Sequence, residues 1–205
     1  MKHIGNKFAN AKYMYIFVCV LIVCFILSAC EIPIYETNDI ADYGNITGNY
    51  NNERPYELIF SFFPAQIEDY FSDVTYHYKA KKFDTIGCEA YLEFVIDDKT
   101  QFAQYIEQLE IPQDKITHFQ YDRSYYEYDV MDKYWFFVSE DRVCYESAHL
   151  GKILYSEEQQ RIIFWALLVE DGGGTNSDDL HYYFDRFGID PNDYVEAQRI
   201  REGYA

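Results

Sequence analysis

Apolar and polar positions alternate most regularly over residues 88–97. Cys88, Ala90, Leu92, Phe94 and Ile96 fall on one side, and Glu89, Tyr91, Glu93 and Asp97 on the other. A period of two is that of a strand with one buried face. Just before it, Val74, Tyr76, Tyr78 and Ala80 alternate with Thr75, His77, Lys79 and Lys81, which predicts a second strand. The period then changes. Phe102, Tyr105, Ile106 and Leu109 recur at helical spacing behind Asp97 or Asp98, predicting an amphipathic helix that is capped by one of those aspartates and ended by Pro112.

Further strands are expected over 58–63, stopped by Pro64, and over the aromatic stretch 116–130. Others follow at 133–138, at 143–148 after a Ser139–Arg142 turn, and at 152–155 after Gly151. The apolar run from Arg161 to Val169 reads two ways. Ser156 with Gln159 resembles a helix capping box. Ile162, Ile163, Phe164, Trp165 and Val169, in a short span between a polar turn and Gly172-Gly173-Gly174, favour a strand, and we assign one. A second helix is expected from Ser177 or Asp178, with Leu180, Tyr183, Phe184 and Phe187 on one side and Gly188 just past its end. Asp190-Pro191 has the form of a short final helix start. The order is β-β-β-α-β-β-β-β-β-α without internal repeats. It predicts an α+β domain: an antiparallel sheet of about six to eight strands with two amphipathic helices packed on one face.

The N-terminus has a different pattern. Lys2, Lys7 and Lys12 precede an apolar run from Tyr13 to Leu27, then small Ser28 and Ala29, then Cys30. Basic, apolar and small-residue regions in this order make a secretory signal. Leu27-Ser28-Ala29-Cys30 makes it a lipobox, so we expect a signal peptide over 1–29, cleavage before Cys30, and lipidation of Cys30. The alternative is an uncleaved span, for which the run falls short of the roughly 20 residues preferred. A fatty-acylated diacylglyceryl group supplies two chains, enough for stable anchoring on the extracytoplasmic face of the cell membrane. Cys19 and Cys24 lie in the removed segment. Residues 30–55 are Asn-rich and polar, which suggests a flexible tether spanning roughly 25–30 Å. A single domain is then expected over 56–205.

Charge narrows the partners. Removing the three leader lysines from the chain's 17 basic residues leaves 14 against 35 acidic ones, a formal charge of −21. Nucleic-acid binding needs a basic footprint, so that class is excluded. Charged partners are expected to be cationic: a protein, a peptide or a cell-wall component; an acidic surface also simply maintains solubility. Aromatic residues are 20% of the chain, which excludes the usual composition of disorder and suits a sheet.

Cys88 and Cys144 are the mature cysteines besides Cys30, and outside the membrane they are candidates for a disulfide. The register of Cys88 with Ala90, Leu92 and Phe94 equally suits a small core residue. Glu146 and His149 have an i, i+3 metal-ligand spacing, but on a predicted strand they point to opposite faces. His181 and Asp185 are an i, i+4 pair that suits an exposed helix face, and the carboxylates of Asp171–Asp179 lack the order of a calcium loop. No metal site or cofactor is expected, and no nucleophile or metalloenzyme motif occurs. The best candidate recognition surface is the aromatic band Tyr121, Tyr125, Tyr126, Tyr128, Tyr134 and Trp135, with Asp122, Glu127, Asp129 and Asp132 beside it. Tyr and Trp supply large amphipathic contact area at little entropic cost. The same band also suits a sheet with aromatic packing on both faces.

Phe62-Phe63-Pro64, then Val74-Thr75-Tyr76-His77-Tyr78, then Cys88-Glu89-Ala90-Tyr91-Leu92-Glu93 leading into the Phe102–Leu109 helix, resembles uncharacterised lipoproteins of low-GC Gram-positive bacteria. The resemblance spans about 60–170, supports the element order and the location, and implies no site residues. Together these readings lead us to expect a non-enzymatic binding module outside the membrane. The alternatives are a structural envelope-maintenance lipoprotein and a cell-wall or carbohydrate hydrolase.

Overall fold

Among the described residues the chain forms eight strands and two α-helices. The strands are β1 (Ile34–Thr37), β2 (Ser72–Phe83), β3 (Thr85–Val95), β4 (Thr117–His118), β5 (Tyr126–Ser139), β6 (Arg142–Ser156), β7 (Arg161–Glu170) and β8 (Thr175–Asn176). The helices are α1 (Lys99–Gln108) and α2 (Tyr182–Phe187). The computed structural model describes residues 34–43, 61–83, 85–139, 142–170, 175–176, 182–190 and 193. Of these, 81–83, 85–86, 132–139, 142–148, 169–170 and 175–176 are described by backbone alone. The predicted signal peptide, Cys30, the Asp171–Gly174 loop and most of the predicted strand over 58–63 lie outside them. Of that strand, Ser61–Phe63 form a turn.

All pairings are antiparallel, in the order β1-β2-β3-β7-β6-β5-β4, with β8 pairing β6 off that path. The predicted α+β class, antiparallel sheet and two helices are those of the structure. The helices, however, take opposite faces. Phe102 of α1 joins Leu92, Phe94 and Phe164 on one face, whereas Tyr183 and Phe184 of α2 join Tyr91, Trp165 and Leu167 on the other. The reason lies in the central strands. β7 is buried continuously from Ile162 to Leu168, the mark of a strand covered on both sides. Its apolar run is thus a strand. β3, read as half-exposed, also buries Glu89, Tyr91 and Glu93 on its second face.

The helix ends follow the expected chemistry. Asp98 caps α1, its carboxylate accepting from the Gln101 N–H at 2.8 Å. α2 ends at Gly188, with φ +62°. The Gly188 N–H donates to Asp185 O and the Ile189 N–H to Phe184 O, the paired bonds of a Schellman cap.

Three expectations change. The segments 133–138 and the end of 116–130 form one strand, β5, bent by irregularities at Asp129/Met131 and Trp135/Phe136. The segments 143–148 and 152–155 likewise merge into β6 through Gly151. A Cβ there would meet Met131 Cε and Phe62 Cε1 and Cζ at 2.9 Å, so glycine at this position admits the Phe62 ring. Finally, part of the predicted tether is folded. Ile34–Thr37 pair with Lys81–Tyr78 of β2, and Tyr43 is buried against Tyr76, its hydroxyl donating to Pro64 O.

Candidate functional site

The aromatic band does not form one surface. Tyr125 is 3% exposed, packs edge-on against Phe187 on the α2 face, and donates to Gln159 Oε1 at 3.2 Å. Tyr126 and Tyr128 pack against the α1-side core. Tyr121 is exposed, in ring contact with Phe119. The side chains of Tyr134 and Trp135 lie outside the described residues. The division follows from strand alternation, which sends neighbouring side chains to opposite faces.

What survives is a column on the α1 face. His118, Tyr126 and Tyr155 are direct cross-strand partners on β4, β5 and β6. Their rings stack at 4.8 Å and 5.2 Å, tilted by 29° and 26°. Tyr155 ends the column in a groove of about 450 Å³, lined by Phe102, Ala103 and Ile106 of α1 and rimmed by Lys99, Glu157 and Gln160. Gln160 fixes the far wall, donating through Nε2 to Ile96 O at 2.7 Å and Asp97 O at 3.0 Å. The groove therefore joins an apolar floor to a short charged rim, the composition of a site for an apolar side chain with a polar neighbour. Ile106 and Phe102 were legible as the apolar face of α1. Tyr155 was read only as a strand residue, because its partners come from β4 and β5.

The opposite face carries charges that sequence patterning had assigned to solvent. His77, Tyr91, Trp165, Lys152 and Asp129 form one row across β2, β3, β7, β6 and β5. Glu89, in the row beside it, accepts from Trp165 Nε1 and from the Tyr182 and Tyr183 backbone N–H groups, each at 3.0 Å. Glu93 binds Arg186 through Nε at 3.0 Å and Nη2 at 2.8 Å, and also takes Arg161 and the Tyr91 hydroxyl. Lys152 bridges Glu127 and Asp129. His77 Nδ1 lies 2.7 Å from Asn38 Oδ1, and its ring stacks on Tyr182 at 4.2 Å. Glu89, Glu93 and His77 each bond or stack against α2, an arrangement that fixes the helix over the sheet.

The Glu93 environment sets an acid limit. Burial pushes its carboxyl up, but hydrogen bonds from Arg186, Tyr91 and Arg161 together outweigh burial and hold it below the ordinary carboxylate value. A depressed folded pKa contributes stability that is complete above the unfolded value, about 4.3, and is lost as pH falls through the lower folded one. The urea midpoint should therefore hold down to about pH 5 and fall steeply below about pH 4. In Glu93→Gln that acid slope should be shallower, and an unchanged slope would assign it to other carboxylates.

The remaining candidates separate in space. Cys88 is fully buried on the α1 face. It pairs with Leu168, which pairs with His149 of β6, and Cys144 lies five residues further along that strand. Two strand spacings and five residues put the cysteine Cα atoms roughly 19 Å apart. A disulfide needs less than about 7 Å, so the register corrects the Cys88–Cys144 expectation. Among the described residues, no three His, Cys, Asp or Glu side chains converge as a metal site. No protein family, curated protein or solved structure matches this chain.

Proposed function

We propose that this chain is a lipoprotein of the extracytoplasmic membrane face, held by lipid on Cys30, whose domain is a non-enzymatic binding module. The lipobox supports the anchor, and the resemblance to lipoproteins of low-GC Gram-positive bacteria belongs to the same reading. The observation that carries the binding half is the groove between α1 and Tyr155, with Phe102, Ala103 and Ile106 as its apolar wall. Its partner is a protein or peptide that presents an apolar side chain, and the acidic domain favours a cationic one. The burial of Tyr125 favours the second reading, a structural envelope protein, since it removes one residue of the band from any surface.

A photo-crosslinking residue in place of exposed Ala103, in the full chain in its own membranes, separates the two. A discrete adduct that disappears when Ile106→Glu is added is the expected result. Absence of any adduct at Ala103, or an adduct indifferent to Ile106→Glu, would leave the structural reading standing instead.

A further inference from the structure

We infer that the α1 groove has a second end, at Arg123, and that its occupant is the free C-terminus of an extended peptide or protein tail. The carboxylate sits at Arg123 and an apolar side chain, a few residues earlier, packs against Ile106. The inference rests on the binding-module reading and adds the partner's chemistry and direction to it.

A cavity of about 360 Å³ is lined by His118, Phe119, Gln120 and Arg123. It lies at the margin of the sheet, where β4 is the last strand of the path. The loop that carries Arg123 is closed at its base. The Phe119 N–H donates to Tyr125 O at 2.9 Å, and the Tyr125 N–H to Asp122 O at 3.0 Å. Phe119 and Tyr125 are both buried, so each end of the loop is pinned. The adjacent carboxylate is committed elsewhere: Asp122 Oδ1 accepts from the Ser124 N–H at 3.0 Å and from its hydroxyl at 2.7 Å. Arg161 and Arg186 are both tied to Glu93, whereas Arg123 has no acidic partner among the described residues. The chain holds 35 acidic residues against 17 basic ones, so a guanidinium left without one calls for an anion from outside. Its planar fork matches a carboxylate, and the Gln120 amide supplies a further donor.

The aromatic column joins this cavity to the groove. His118 lines the cavity and stacks on Tyr126, and Tyr155, stacked on the other side of Tyr126, lines the groove. The three are direct cross-strand partners, so both ends open from one line across β4, β5 and β6. Ring steps of 4.8 Å and 5.2 Å set the end rings about 10 Å apart, which an extended chain crosses in roughly three to four residues. The acidic domain repels a lone anion at long range, an effect screened beyond about 8 Å. A peptide terminus offsets that repulsion, because its carboxylate arrives with an apolar side chain for the groove and with any cationic residues it carries. Capture of a terminal carboxylate also fixes the direction of the bound chain.

Randomised octapeptides test this, as a free-acid set and a C-terminally amidated set, over the full chain reconstituted in phosphatidylcholine vesicles. Retained peptides are sequenced by mass spectrometry against empty vesicles. The acid set should be retained about tenfold better than the amide set. Leucine, isoleucine or phenylalanine should be enriched roughly three or four positions before the C-terminal residue. Arg123→Gln should make the two sets bind equally, and Ile106→Glu should remove the positional enrichment. Enrichment at that position with acid and amide sets retained alike overturns the carboxylate end and leaves the binding module standing. Acid preference with no favoured apolar position shows an anion site alone and overturns the joined site. Retention of no peptide overturns the inference outright, while the crosslink at Ala103 decides the groove separately.

Discussion

Lys152→Met is expected to lower the unfolding free energy by about 3–5 kcal/mol. Lys152 sits on β6 with its side chain 2% exposed, directly opposite Asp129 in register and bonded to both Asp129 and Glu127. Met has nearly the same volume, so packing is retained and the change isolates the charge. What remains is two carboxylates, one of them in an 11% exposed side chain, with their shared cation gone. Leaving a buried charge uncompensated costs far more than the intact cluster contributes over an apolar replacement. The cluster therefore makes a paired prediction. Adding Glu127→Gln and Asp129→Asn to Lys152→Met should recover at least half of the loss in urea unfolding. If Lys152→Met alone costs less than about 1 kcal/mol, the cluster is solvated and its burial has no energetic consequence.

Glu89→Ala is the second. The carboxylate is fully buried and holds three donors, two of them the backbone N–H groups at the start of α2. A six-residue helix is far below the length at which a helix persists in water, so α2 depends on what it docks against. Hydrogen bonds to a charged group contribute about 1.5–3 kcal/mol each and are not additive. We expect a loss of at least about 3 kcal/mol, and Glu89→Gln, which keeps an acceptor oxygen, should lose less. Stability alone would not distinguish a general packing defect. Amide exchange does: protection at Tyr183 and Phe184 should fall much further than protection in β3 or β7. A uniform fall across the domain would show that Glu89 supports the sheet rather than the helix.

Both residues show where pattern reading stops. The strands β2, β3 and β7 and the helix α1, with its Asp98 cap, were legible because their signals are local: a period, a cap, a proline. The second face of β3 was not. Glu89 and Glu93 occupy polar positions in a clean alternation, and alternation assigns polar positions to water. They are buried because Trp165 lies 76 residues away from Glu89 in sequence, and Arg161 and Arg186 lie 68 and 93 away from Glu93. No window along the chain contains both members of any of these pairs. The placement of the two helices on opposite faces was lost for the same reason. The folded stretch Ile34–Tyr43 was hidden by composition. Its Asn38 and acids read as spacer, although Tyr35 and Tyr43 were the signal, and their rings pack on Tyr78 and Tyr76. Of the candidate site, the apolar face of α1 was visible in advance, and the column ending in Tyr155 was not, since stacking across three strands is a property of register.

The pairing of β3 with β7, from Val95 opposite Arg161 to Ile86 opposite Glu170, also governs the order in which the domain is completed. Contacts of such sequence separation form slowly, because a long loop must close first. A chain made from its N-terminus delivers β2, β3 and α1 early, but Arg186 leaves the ribosome roughly 5–20 s after Glu93 at ordinary synthesis rates. Through that interval the carboxylates destined for the interior remain hydrated, and the hairpin keeps one bare edge. The middle of the sheet is therefore finished by segments synthesised well after the strands they cover. Removing the chain beyond about residue 180 would not trim a tail; it would leave the centre of the protein without its lid.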